Sequence, residues 1–132
     1  MAAASDPGAF RLLVLPGDGI GPEIIGQTLR VVRWFEVARG FRFEVVEGLA
    51  GGASIDATGE PITQAVVDQA MASDAVLFGA VGGPEWDALP RARRPEMGIL
   101  WLRQAMDLYA NLRPAVCFDE LLDASAVKPE LI

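Results

Sequence analysis

The chain has 132 residues, a length that fits one domain or part of one. Apolar residues make up 52% of it, enough for a buried core, and a net charge of −7 argues against nucleic-acid binding by bulk charge. A small anionic ligand therefore needs a local basic cluster. Cys117 is the single cysteine, so no intrachain disulfide can form, which fits a reducing cytoplasm, and no apolar run has the length of a membrane span.

The first elements predicted are a tail, a strand and a tight turn. Residues 1–10 are small and polar, so we expect a mobile tail, with the domain occupying 11–132. The apolar run Arg11–Leu15 predicts a buried strand. Pro16–Glu23 is rich in glycine and predicts a turn that leads into a helix. Because its glycines alternate, it differs from the Gly-x-Gly-x-x-Gly of dinucleotide-binding folds, and the motif alone favours a structural turn.

A helix, a strand and a loop are predicted next. Glu23–Ala38 has helical periodicity, and Phe41–Glu47 alternates as a strand with one buried face does. The glycine-rich stretch Gly48–Gly59 predicts a loop with a structural role. The apolar stripe expected on the helix consists of Ile24, Thr28, Val31, Phe35 and Ala38.

A second helix and a third strand complete the pattern. Glu60–Ala72 predicts a helix whose apolar positions are Ile62, Ala65, Val66 and Ala70. Ala75–Val81 is continuously apolar, which is typical of a parallel strand covered on both faces. The order strand-helix-strand-helix-strand predicts an α/β fold built on a mostly parallel sheet with right-handed crossovers.

A long loop, Gly82–Glu96, follows the third strand. In open α/β sheets, ligands bind beyond the carboxyl ends of the strands, and a loop of this length at that place is more often functional than not. The alternative interpretation is a surface excursion that Trp86 anchors.

The last predicted helix carries the basic cluster. Pro95 and Glu96 suit its first turn, and we expect it to end near Asp107. Arg103 lies on this helix, whereas Arg113 precedes a proline and is expected in an extended segment. Their guanidinium groups can converge on one small dicarboxylate, because each presents a planar fork to a carboxylate. Solvated arginines that form weak surface ion pairs are the alternative.

Two motifs resemble those of the 3-isopropylmalate dehydrogenases, within the isocitrate/isopropylmalate dehydrogenase family of β-decarboxylating enzymes. They are Arg94-Pro-Glu-x-Gly-Ile-Leu-x-Leu-Arg103 and Ala110-Asn-Leu-Arg113-Pro-Ala. The similarity runs from Leu12 to the last residue and covers well under half of a family member. The resemblance implies the isopropylmalate dehydrogenase-like fold, incomplete here, with this chain as its N-terminal part.

By this resemblance the expected function is NAD-dependent oxidative decarboxylation of 3-isopropylmalate, a 2-hydroxy dicarboxylate of leucine biosynthesis. Arg103 and Arg113 are expected to bind the malate carboxylates, and Glu96, Ile99 and Leu100 to face the γ-substituent. The aliphatic pair favours an isopropyl group, since the γ-carboxylate of isocitrate would be buried without a partner there. A tartrate- or malate-type enzyme and a non-catalytic NAD-binding module are the alternatives.

The resemblance also predicts the cofactor contacts. The family holds NAD along the loop after the third strand and beside the turn that contains Asp18. The expected contact residues are Ile20, Gly83, Pro84, Glu85, Trp86, Asp87, Ala88, Leu89, Pro90, Arg91, Ala92, Arg93, Arg94, Pro95 and Glu96.

Other parts of the family's active site are expected beyond Ile132. These are a third substrate arginine, a catalytic tyrosine and lysine, and the aspartates that hold Mg²⁺ or Mn²⁺, so no catalytic residue or metal ligand is assigned within this chain. Tyr109 does not match the catalytic tyrosine, and Lys128 is the sole lysine. The family works as a homodimer, which we expect of the full-length protein, in the cytoplasm, without nucleic acid or membrane as a partner.

The purified 132-residue chain is accordingly predicted to have no turnover, because the expected proton donors and metal ligands are lacking. The measurement is NADH formation from 3-isopropylmalate in the presence of Mg²⁺ or Mn²⁺. NADH formation above the rate without enzyme would refute this prediction.

Overall fold

A computed structural model describes residues 8–114 and 118 as an α/β unit with a three-stranded parallel sheet of order β2-β1-β3. The predicted α/β class is confirmed. None of the helices in these residues is long and apolar enough to cross a membrane. The elements are β1 (Phe10–Gly17), α1 (Gly21–Arg39), β2 (Phe43–Glu47), α2 (Gly52–Thr58), α3 (Gln64–Met71), β3 (Ala75–Ala80) and α4 (Glu96–Ala105).

The central strand β1 supplies the core on both faces of the sheet. Leu13 and Leu15 lie in a cluster with residues of α3 and α4, and Leu12 and Val14 pack against α1 on the other face. The predicted buried strand is therefore confirmed. β1 begins at Phe10, one residue inside the expected tail, while residues 1–7 lie outside the described part of the chain.

The predicted apolar stripe of α1 is wrong. The face that packs on the sheet contains Ile25, Leu29 and Val32. The tight turn sets this orientation: Gly21 abuts β1 so closely that a Cβ there would lie 2.1 Å from the Pro16 carbonyl oxygen. Residues four and eight positions after Gly21 must then face the sheet too. Three members of the expected stripe are exposed: Ile24 (46%), Val31 (53%) and Phe35 (39%).

Two predicted elements are present with different bounds. α3 begins at Gln64 and not at Glu60, because the Thr63 side chain caps it and accepts a hydrogen bond from the Val66 amide at 3.4 Å. β2 begins at Phe43, and the exposure of Val45 shows that its expected buried face is only partly covered.

The prediction that Gly48–Gly59 is a loop without a helix is wrong, since α2 lies within it. Gly51 and Gly59 flank this helix with positive φ values of 76° and 83°, as the glycine-rich sequence allows. The first amides of α2 bond to Asp18, which is 34 residues earlier in the chain. This stabilisation is tertiary, so the local pattern could not reveal it.

Packing of α4 gives a matched pair of glycine substitutions. Gly98→Ala would place a Cβ 2.6 Å from the Pro61 carbonyl oxygen, and we expect it to lower the free energy of unfolding by about 1–3 kcal/mol. Gly26→Ala in exposed α1 meets nothing within 4 Å and should raise that free energy by up to about 1 kcal/mol through helix propensity. Urea denaturation measures both, and equal stabilisation by the two variants would contradict the packing described.

Candidate functional site

The carboxyl ends of the three parallel strands lie at one edge of the sheet, and a glycine-containing segment leaves each of them. Asp18 follows β1, Gly51 and Gly52 follow β2, and Gly82 follows β3. This is the edge at which open α/β sheets bind ligands. The loop that follows β3, where cofactor contacts are expected, leaves the sheet at this edge.

The Asp18 carboxylate joins these three segments. Its Oδ2 accepts hydrogen bonds from the amides of Gly52 at 2.7 Å and Gly82 at 2.9 Å, and its Oδ1 accepts one from Ala53 at 2.7 Å. Asp18 is only 5% exposed. The Asp18 carboxylate is thus bonded to the backbone, whereas the Ile20 side chain in the same turn is 60% exposed.

The loop after β3 is pinned by Trp86. The indole Nε1 donates to the Asp56 carboxylate at 3.0 Å, and the ring covers Gly52 so closely that a Cβ there would lie 2.2 Å from it. Two short 3₁₀ turns, Pro84–Trp86 and Arg91–Arg93, give the loop regular structure. The anchoring role considered for Trp86 is what the structure shows.

The loop arginines differ in what they bond. Arg94 donates to the carbonyls of Leu89 at 3.1 Å and Asp87 at 2.8 Å, and Arg93 donates to the Gly59 carbonyl at 3.2 Å. Arg91 is exposed, and its guanidinium has no hydrogen-bond partner among the described residues. Arg94 therefore shapes the loop, while Arg91 leaves a positive charge open to an anionic ligand.

Glu96 lies where this loop meets α4. It is in the first turn of the helix, and its Oε1 is 2.8 Å from the position a Cβ on Gly82 would take. Since the Gly82 amide bonds to Asp18, Glu96 lies at the same edge of the sheet as the start of the loop after β3. Glu96 therefore lies beside the start of the loop, and the cofactor contacts expected of Gly83–Glu96 stay a prediction.

Arg103 and Ile99 lie on one face of α4 and line the same hollow of about 400 Å³ against β3. The Arg103 guanidinium has no hydrogen bond or ion pair among the described residues. Asp74 also lines the hollow, but its Oδ2 accepts the Arg11 amide at 2.7 Å. The hollow therefore combines an apolar wall with one available guanidinium group.

Two other expected substrate residues are not part of this hollow. Leu100 is 49% exposed and does not line it, so the aliphatic pair Ile99 and Leu100 does not form one wall. Arg113 is exposed in a segment that is neither helix nor strand and does not line the hollow. The convergence of Arg103 and Arg113 on one anion stays a prediction, and the tail after Pro114 lies, except for Phe118, outside the described residues.

The structure adds contacts that the sequence did not predict. The bond from Trp86 to Asp56 and the triple bonding of Asp18 depend on segments far apart in the chain. The paired glycines Gly51 and Gly52 were the one available signal, because they mark a close approach of other groups to the backbone. Within residues 8–114 and 118, no three Asp, Glu, Cys or His side chains are grouped as metal ligands.

Comparison with known proteins identifies the class. The profile described as isocitrate/isopropylmalate dehydrogenase matches residues 11–132, so the chain belongs to this dehydrogenase family. It is 53% identical over 123 residues to a 3-isopropylmalate dehydrogenase of Nitrobacter winogradskyi and 51% identical over 124 residues to one of Gluconobacter oxydans. These matches cover 93% and 94% of this chain but only 33% and 34% of the two relatives, so the chain spans about a third of their length.

Solved structures agree with the fold. A β-decarboxylating dehydrogenase from Thermococcus kodakarensis, in its apo form, has a TM-score of 0.61 and 34% identity, over 76% of this chain and 27% of that one. An isocitrate dehydrogenase from Methylococcus capsulatus has a TM-score of 0.60 and 28% identity, over 76% and 26% of the two chains.

The contact between Gly52 and Trp86 predicts the effect of one added methyl group. Gly52→Ala should displace the indole, break its bond to Asp56 and expose it to water, which shifts tryptophan emission to the red. The measurement is the emission spectrum of the folded chain. In a Trp86→Phe background the same substitution should leave the emission of the other tryptophans unchanged, and an equal shift in that background would contradict the assignment.

Proposed function

We propose that the chain forms the N-terminal, cofactor-loop part of an NAD-dependent 3-isopropylmalate dehydrogenase of leucine biosynthesis. The observation that carries the proposal is the joint placement of Ile99 and Arg103 on one hollow, in a chain of this family. The reaction oxidises C2 of the 2-hydroxy acid by hydride transfer and then releases CO2 from the resulting β-keto acid. The proposed localisation is cytoplasmic.

The proposed cofactor position is the loop Gly83–Glu96, with Ile20 on the adjacent turn. NAD, when bound, supplies the hydride acceptor. The fit is supported by the two 3₁₀ turns of the loop, by the exposed Ile20 side chain and by the Arg91 guanidinium, which no described residue bonds and which can therefore bind a phosphate. Arg93 and Arg94 stabilise the loop by bonding to backbone carbonyls, so they position the segment before any ligand arrives.

The proposed substrate contacts are on α4 and just after it. Arg103 binds a malate carboxylate through its planar fork, with Arg113 as the second guanidinium, and Ile99 contacts the isopropyl group from the wall of the same hollow. Glu96, in the first turn of α4 and beside Gly82, is also proposed to face the isopropyl group. Apolar contacts exclude water from the isopropyl group, whereas the γ-carboxylate of isocitrate would have no partner at the same position.

The remaining groups are proposed to come from the part of the relatives that this chain does not span. They comprise the proton-transferring tyrosine and lysine, the ligands of Mg²⁺ or Mn²⁺, and the dimer interface of a homodimer. No described residue of this chain is assigned to these roles.

Substrate preference tests the proposed function. An enzyme in which this chain replaces the matched third of the Nitrobacter winogradskyi relative should oxidise 3-isopropylmalate with NAD. Its kcat/KM for isocitrate should be lower by about a hundredfold, since an unpaired buried carboxylate costs about 3 kcal/mol. The assay is NADH formation with isopropylmalate, isocitrate and tartrate, and a preference for isocitrate or tartrate would contradict the proposal.

The same enzyme tests the role of Arg103. Arg103→Gln removes a charge-assisted bidentate contact and should lower kcat/KM for isopropylmalate by about a hundredfold. Arg30→Gln, on the exposed side of α1, removes the same charge far from the hollow and should leave kcat/KM within about twofold. Equal effects of the two variants would show that bulk charge, and not this guanidinium, matters.

A further inference from the structure

The Asp18 carboxylate is a buried anion that the protein itself supplies to three backbone amides. The bonds from Gly52, Ala53 and Gly82 are 2.7, 2.7 and 2.9 Å long. Gly52 and Ala53 are neighbours in the segment after β2, and Gly82 is in the segment after β3. The Asp18 amide in turn donates to the Ala80 carbonyl at 2.6 Å, at the end of β3. The carboxylate therefore links the segments that follow all three strands.

The surrounding glycines show how closely this anion is enclosed. A Cβ on Gly51 would lie 2.5 Å from Oδ2 of Asp18, so a larger residue there would push the carboxylate away. Gly52, whose amide donates to the same oxygen, also lies under the Trp86 ring. Gly51 and Gly52 thus lie between Asp18 and the Trp86 ring of the loop 83–96.

Two separate paths lead from Asp18 to the loop 83–96. The first is direct, through the amide of Gly82, which immediately precedes the loop. The second path passes through α2. Its first residue, Gly52, bonds to Asp18 and contacts the Trp86 ring, and its Asp56 accepts a hydrogen bond from the indole N–H at 3.0 Å. Loss of the carboxylate would leave three buried or half-buried N–H groups without an acceptor, and both paths would loosen together.

We propose that Asp18 is a positioning residue: its carboxylate fills an amide-lined anion site and thereby holds the loop 83–96 in the conformation that receives the cofactor. The part concerning the cofactor rests on the proposed function. The part concerning the loop stands on hydrogen bonds within this chain.

The rate of trypsin cleavage within the loop 83–96 measures how often this loop opens. Cleavage is possible after Arg91 and Arg93, whereas Arg94 precedes a proline and is not cut. Asp18→Ala should raise the cleavage rate at these two sites by about tenfold or more, since the loop opens more often when its bonds are lost. Cleavage after Arg30 and Arg33 in α1 should change by less than about twofold, because local opening leaves α1 folded.

A small carboxylate distinguishes positioning from a general loss of stability. Formate fits the space that Asp18→Ala leaves and should restore slow cleavage at Arg91 and Arg93, while sodium chloride of equal ionic strength should not. In Asp18→Asn the side chain still fills the site, but its NH₂ group faces a backbone amide that needs an acceptor. Cleavage of the loop should therefore be faster than in wild type, and formate should not slow it because the space is occupied. Asp68→Ala, on the exposed surface of α3, is the matched control and should behave as wild type.

Calorimetric titration with NAD completes the experiment, on the enzyme in which this chain replaces the matched third of the Nitrobacter winogradskyi relative. Asp18→Ala should weaken NAD binding by about tenfold or more, with recovery in formate. If the enzyme with Asp18 intact binds no NAD, the proposed function fails, but proteolysis of the 132-residue chain still decides the role of Asp18. Equally faster cleavage in the loop and in α1, without rescue by formate, would overturn the inference. If Asp18→Ala does not fold, Asp18→Asn is used instead: faster cleavage confined to the loop supports the inference, and equally faster cleavage in α1 overturns it.

Discussion

The structure depends on one carboxylate that bonds to backbone amides from distant parts of the chain. Parallel strands end at a common edge, and the segments that follow them carry amides with no partner in the sheet. Asp18 accepts three of these amides at 2.7–2.9 Å while it is almost fully buried. A buried charge is tolerated only when it is hydrogen-bonded, so Asp18 can be buried here only because these three amides donate to it.

This arrangement separates anchoring from ligand binding in a chain of net charge −7. The Asp18 carboxylate at the sheet edge is hydrogen-bonded by backbone amides, and Trp86, Arg93 and Arg94 fix the loop through Asp56 and backbone carbonyls. Arg91 in the loop and Arg103 on α4 have no hydrogen-bond or ion-pair partner in the described part of the chain. These two guanidinium groups lie at the proposed cofactor and substrate positions.

Periodicity predicted the parallel α/β sheet and the buried β1, because these depend on residues close together in sequence. The motif from Arg94 to Arg103 predicted the family, and the profile match over residues 11–132 confirmed it. Helix α2 was missed, since the carboxylate that stabilises its first turn is 34 residues away. The stripe of α1 was misplaced because apolar residues occur on two of its sides, and the contact of Gly21 with β1 decides between them. The roles of Arg103 and Arg113 remain predictions.

The most direct test of the central claim is the hydrogen exchange of individual amides in the wild-type chain, followed by NMR. If Asp18 holds the three segments, the amides of Gly52, Ala53 and Gly82 should exchange slowly and at similar rates, much more slowly than exposed amides of the loop such as those of Glu85 and Ala88. Exchange of these three amides as fast as that of the exposed loop amides would contradict the account.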